Sequence, residues 1–200
     1  MLGDLWSFQG RYRTLHLTWF AFFLTFVVWF NLAPLATTVR ADLNLDIGQI
    51  RTVAICNVAL TIPARVLIGM LLDKFGPRIT YSSILVFSAI PCLLFALAQD
   101  FNQLVVARLL LSIVGAGFVI GIRMVAEWFP PKEIGLAEGI YGGWGNFGSA
   151  FSALTMVALA GFLSFSGGFE LPTGAVLNWR GAIALTGIVS AIYGFFYFFN

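Results

Sequence analysis

The chain has 200 residues, of which 60% are hydrophobic and 10% charged, whereas soluble globular domains carry about 25% charged residues. That balance excludes an ordinary soluble domain. The formal net charge of +2 gives no reason to expect a nucleic-acid partner.

A helix needs roughly 20 apolar residues to cross a hydrocarbon core of about 30 Å. Six stretches qualify: 15–35, 47–72, 79–98, 104–125, 134–161 and 181–199. The expected fold is therefore an all-α polytopic membrane protein, a single bundle of six transmembrane helices over residues 1–200 whose surroundings are the lipid bilayer. Cys56 and Cys92 both fall inside predicted spans, where a thiol behaves as a small hydrophobe. Neither a disulfide, a metal site nor a cofactor is expected. The N-terminus lacks a short apolar segment followed by a cleavage site, so it is read as retained. Arg11, Arg13, Lys74, Arg78 and Lys132 fall at one set of helix ends and Arg40 and Arg180 at the other, with Arg51 and Arg108 at span edges. By the positive-inside rule both termini are expected on the cytoplasmic side of the cell membrane.

The first span carries Trp19, Phe22, Phe23, Phe26, Trp29 and Phe30, then Asn31 and Pro34. Most of these aromatics read as packing and interfacial residues, while an amide and a kink near Trp29 to Asn31 suit the edge of a cavity. In the second span Arg65 lies well inside the apolar run, and Asn57, Thr61 and Arg65 recur at i, i+4 and i+8, which puts them on one helix face. An arginine at that depth costs a few kcal/mol unless it meets a partner. All nine acids, Asp4, Asp42, Asp46, Asp73, Asp100, Glu127, Glu133, Glu138 and Glu170, fall in loops or near span ends. Arg65 thus reads as an anion-binding residue in preference to half of an internal salt bridge.

The segment GMLLDKFGPR from Gly69 to Arg78 resembles the cytoplasmic loop signature of the major facilitator superfamily, between its second and third helices. Gly69 permits close helix approach, Gly76 a tight turn, and Asp73 can interact with a neighbouring helix end. The resemblance implies a gating role for Asp73, Lys74 and Arg78. The third span, with Pro91, offers no distinct chemistry. The fourth holds Gly115, Gly117 and Gly121, a small-residue face, and ends in Arg123 and Glu127. That i, i+4 pair reads first as a local ion pair; the alternative is that Arg123 also reaches Asp73.

The fifth span contains GLAEGIYGGWGNFGSA from Gly135 to Ala150. Gly135-x-x-x-Gly139 and Gly139-x-x-x-Gly143 suit close helix packing, but packing does not account for Asn146. Asn146 shares a helical face with Gly139, Gly142, Ser149 and Ala153, a smooth wall bearing an amide and a hydroxyl. Between the fifth and sixth spans a Gly, Ser and Pro-rich stretch reads as an outer loop, and the sixth span is rich in phenylalanine.

Taken with Arg65, the segment RMVAEWFPPKEIGLAEGIYGGWGNFGSA is similar to the nitrate/nitrite porter family of the major facilitator superfamily, in particular to bacterial nitrate permeases of the cyanobacterial type. The resemblance implies an anion contact for Arg65 and a substrate-side amide for Asn146. It also implies that the signature glycines Gly139, Gly142, Gly143, Gly145 and Gly148 line the pathway; Gly142, Gly143 and Gly145, with Asn57 and Thr61 on the arginine's face, are expected to be substrate-binding. Family members have twelve helices and a second arginine from the other half, so six helices imply half a site and a C-terminal half as partner. The implied activity is alternating-access transport of nitrate or nitrite, not enzymatic chemistry. Another small anion, or a six-helix anion channel, is the alternative. An intramembrane serine protease built on Ser149 would need a base at its depth, and the lone His16 lies at the start of the first span.

Overall fold

The computed structural model describes residues 7–200, so Asp4 lies outside the described residues. The chain runs through α1 (Gly10–Phe30), α2 (Ala36–Asp42), α3 (Ile47–Ala59), α4 (Thr61–Phe87), α5 (Ala89–Leu97), α6 (Phe101–Ser112), α7 (Phe118–Trp128), α8 (Pro131–Phe162) and α9 (Trp179–Phe199). Two-residue strands, Phe169–Glu170 and Val176–Leu177, pair antiparallel in the α8–α9 connection. The first long helix starts at Gly10, five residues before the first apolar stretch, and a 3-10 turn at Pro34 joins α1 to α2.

Among the described residues five helical stretches are long and apolar enough to cross a membrane, and one of them, Ile47–Leu97, holds 51 residues. As a straight helix it would measure about 77 Å at 1.5 Å per residue, far more than one bilayer core. It folds back at Gly76, whose φ of 75° and ψ of 170° interrupt α4. Glycine adopts that conformation without a Cβ clash, and Pro77 then suits the start of the returning arm. The result is six crossings among the described residues.

A second break falls at Leu60. Pro63 has no N–H to give to the carbonyl of Ala59, and its ring crowds that oxygen. The helix parts there. α6 repairs the gap, because the Leu60 N–H donates to Ser112 Oγ at 3.2 Å and Thr61 Oγ1 donates to the Ser112 carbonyl at 3.3 Å. Polar caps set the helix starts at the same end of the bundle. Asp46 and Gln49 form a reciprocal capping box, Asp100 accepts from the Gln103 N–H, and Asn178 accepts from the Gly181 N–H.

The tightest helix contact joins α1 to α8. A Cβ at Gly145 would stand 1.8 Å from Phe22 Cδ1, and one at Gly148 would stand 2.2 Å from the Phe23 carbonyl oxygen. Gly121 gives way in the same manner to Tyr141, and Gly115 to Trp29. The spacing had suggested Gly135, Gly139 and Gly143 as the packing glycines, yet the space beyond each of them is open. The reason lies in helix phase. α8 buries a single stripe, Ala137, Tyr141, Gly145, Gly148, Ser152, Met156 and Ala160, and the earlier glycines fall outside it.

Gly148→Ala is therefore expected to destabilise the bundle by about 1–3 kcal/mol or more through overpacking against backbone. Gly143→Ala, with open space for the methyl, should instead stabilise the helix by about 0.5–1 kcal/mol. Thermal melting of the detergent-solubilised protein checks both.

Candidate functional site

Arg65 projects from α4 onto an exposed face, its guanidinium over the ring of Phe118 at 4.8 Å from the centroid. Among the described residues no carboxylate pairs with it. Phe118 opens α7 and is held from behind: its carbonyl accepts the Tyr141 hydroxyl at 2.8 Å, and its ring tilts against Phe22 at 6.2 Å. Phe22 stacks on Tyr141 at 4.9 Å and lies over Gly145. An aromatic seam thus connects the arginine to the glycine-rich helix. Phe118 escaped sequence reasoning because no local spacing pairs α4 with α7.

The other two residues of the expected polar stripe turn into the bundle. Asn57 Nδ2 donates to the Trp29 carbonyl at 2.9 Å, and Trp29 Nε1 donates to the Asn57 carbonyl at 2.7 Å. Thr61 is buried against Ser112. Of the three, only Arg65 keeps its polar end on the open face.

Arg108, at a span edge by sequence, is fully buried in α6. Its Nη1 donates to Asn57 Oδ1 at 3.1 Å and its Nη2 to Asn31 Oδ1 at 2.8 Å, while its guanidinium lies 4.3 Å from the Phe95 ring centroid. Asn31, also fully buried, passes the network on to Thr186 Oγ1 at 3.0 Å. The signal available in the sequence was a pair of asparagines, Asn31 and Asn57, in otherwise apolar spans, each needing a partner.

Asn146 is exposed on α8, with Nδ2 donating to the Gly142 carbonyl at 2.7 Å, and Ser149 Oγ donates to the Asn146 carbonyl at 2.8 Å. Apart from chain neighbours and the helix's own nearby backbone, no atom lies within 4 Å of a Cβ placed at Gly139, Gly142 or Gly143. The structure therefore splits the signature: Gly142, Gly143 and Asn146 face open space, whereas Gly145 and Gly148 hold α1. No hydrogen bond joins Arg65 to Asn146 among the described residues.

At the end of the bundle that holds Gly76, Arg123 meets both Asp73 and Glu127, the latter at 2.8 Å. Lys74 lies over Phe75, and Arg78 donates to the Phe198 carbonyl and lies over its ring. Gly69 has open space at its Cβ position. Arg11 pairs with Glu133 at 2.8 Å. At the opposite end Asp42 accepts from Trp179 Nε1 at 2.9 Å and pairs with Arg180 at 3.4 Å.

The description "Major Facilitator Superfamily" belongs to the family whose pattern matches residues 18–200. The nitrate/nitrite transporter NrtP of Picosynechococcus sp. is 63% identical over 100% of this chain and 40% of its own length. NrtP of Nostoc punctiforme is 63% identical over 99% of the chain and 38% of its own length. The probable nitrate/nitrite antiporter NarK1 of Thermus thermophilus is 31% identical over 95% of the chain and 42% of its own length. The chain thus spans about 40% of the length of these curated relatives. Among solved structures, a bacterial homologue of the human lysosomal transporter Spinster, inward-facing and occupied, superposes with a TM-score of 0.76 at 20% identity. That match covers 94% of this chain and 44% of the other, a likeness of fold.

Arg123 and Asp73 are half-exposed or more, so screening by water leaves their pair little energy. A double-mutant cycle of Asp73→Asn and Arg123→Gln is expected to give a coupling below about 1 kcal/mol in thermal unfolding. A larger coupling would make the pair a structural tie.

Proposed function

Because the chain belongs to the Major Facilitator Superfamily, we propose that it forms the N-terminal six-helix half of an alternating-access carrier for nitrate and nitrite. In this reading the carrier sits in the cell membrane with its N-terminus on the cytoplasmic side. The observation that carries the proposal is Arg65: a guanidinium on an exposed face of a membrane helix, braced on Phe118 and without a carboxylate among the described residues. The relatives, named as nitrate/nitrite transporters and a probable nitrate/nitrite antiporter, supply the anion.

The chemistry of the two partners fits. Nitrate is planar, singly charged and weakly hydrated, and it is too weak a base to carry a proton near neutral pH. A guanidinium is also planar, presents a fork of N–H donors and keeps its charge when partly desolvated. Phe118 holds that fork in one plane. Asn146 offers an amide N–H to another oxygen, and the open backbone around Gly142 and Gly143 lets a flat ion lie close to α8. Asn57, Thr61 and Gly145 act from behind, fixing the helices on which those groups stand. A second bundle, with its own arginine, would face this one across a site near the bilayer midplane, the usual design of such carriers. Gly69, Asp73, Lys74, Gly76, Arg78, Arg123 and Glu127 lie at the bundle end away from Asp46 and Asp100. There, exposed ion pairs of low net worth can break and re-form as the halves rock, which is the gating role proposed for them.

Labelled-nitrate uptake by cells expressing the complete carrier tests the reading. Arg65→Lys is expected to reduce uptake to near background, because a point ammonium cannot reproduce the fork. Near-normal uptake by that variant overturns the anion clamp. Asn146→Ala should raise the apparent KM roughly tenfold, the cost of a hydrogen bond to a charged group of about 1.5 kcal/mol, with expression unchanged. Uptake of a different small anion with nitrate excluded would favour the runner-up substrate class. Passive anion conductance by the 200-residue chain alone would favour a channel.

A further inference from the structure

Arg108 is a second cation inside the bundle, and its partners are all neutral. Asn31 and Asn57 each give it a carbonyl oxygen, Phe95 gives it a ring face, and its Nε is buried without a hydrogen-bond partner. The acids Asp100 and Asp42 are spent at helix ends: Asp100 caps α6, and Asp42 is bonded to Trp179 and Arg180. Dipoles orient the guanidinium, but they leave its net charge in place. A positive charge at such depth is costly without a counter-charge, and none is present among the described residues.

The position of that charge relative to Arg65 follows from two independent paths. Arg108 touches Asn57, which lies eight residues before Arg65, about 12 Å along the α3–α4 axis. Arg65 touches Phe118, ten residues beyond Arg108 and about 15 Å along α6–α7. We infer that Arg108 is an affinity-determining residue for the anion held at Arg65, acting through its electric field and not by contact. An anion seated on Arg65 meets that exposed guanidinium directly and the buried charge of Arg108 through space. At a separation of about 13 Å and an effective dielectric of about 20, the added attraction corresponds to roughly tenfold in affinity. The inference rests on the nitrate-carrier reading and deepens it.

The test separates charge from hydrogen-bond geometry. Arg108→Gln keeps amide N–H donors toward Asn31 and Asn57 but loses the charge; Arg108→Lys keeps the charge but loses the fork. Nitrate uptake by the complete carrier is measured as KM and maximal rate at about pH 6, where a buried lysine retains its proton better than at higher pH. The field role predicts a KM raised roughly tenfold for Arg108→Gln and within about twofold of wild type for Arg108→Lys, with maximal rates little changed. A KM for Arg108→Lys as high as for Arg108→Gln overturns the inference, as does an unchanged KM for Arg108→Gln. If Arg108→Gln does not reach the membrane, Arg108→Met takes its place as the neutral variant under the same criterion. Absence of both variants from the membrane assigns Arg108 to folding and overturns it too. Failure of the unmodified carrier to take up nitrate is a separate result, and it removes the nitrate reading itself.

Discussion

A charge carried within apolar spans must be answered by something, and in this chain the answer differs between the buried Arg108 and the exposed Arg65. Arg108 is met by the oxygens of Asn31 and Asn57 and by the face of Phe95. Arg65 is met by Phe118 alone among the described residues. The first arrangement closes on itself, drawing α1, α3, α6 and α9 together through Asn31, Asn57 and Thr186. The second leaves donors directed at open space. Everything proposed about the anion follows from that difference.

Close packing makes the difference possible. α1 lies against α8 because Gly145 and Gly148 leave no Cβ in the way of Phe22 and the Phe23 carbonyl. That contact seats Phe22 beside Phe118, and Phe118 in turn supports Arg65. A side chain at Gly145 would therefore be felt at the arginine, although the two residues share no contact of their own. The same close approach leaves the opposite side of α8 unfilled, so Gly142, Gly143 and Asn146 form a surface in place of a seam.

Much of this was legible in the residues. Span lengths and the scarcity of charge sufficed for a polytopic helical protein, and the depth of Arg65 marked it as unusual without any coordinates. The glycine helix was harder. Six glycines at spacings of one to four cannot reveal their own phase, and the spacing rule chose Gly135, Gly139 and Gly143, which turn out to face open space. Only the shape of the facing helix decides, and Phe22 and Phe23 carry that information. The stripe of Asn57, Thr61 and Arg65 was read as one polar face; the break at Leu60 and the demands of Arg108 and Ser112 divide it. Interactions between helices distant in sequence, such as Arg65 with Phe118, leave no periodic trace to find.

The break at Leu60 has a mechanical meaning as well. Ser112 holds it on both sides, and Arg108 grips Asn57 just before it, while the far end of the segment beyond it is tied by Asp73 to Arg123. From Leu60 to Phe75 that segment is about 22 Å long at helical rise, and its far end carries Asp73 and Lys74. Tilting it by about ten degrees would carry that end through roughly 4 Å, while Arg65, a third of the way along, would shift by little more than 1 Å. With an ion bound at Arg65 as proposed, that leverage would turn a small adjustment beside it into a displacement large enough to part a surface ion pair.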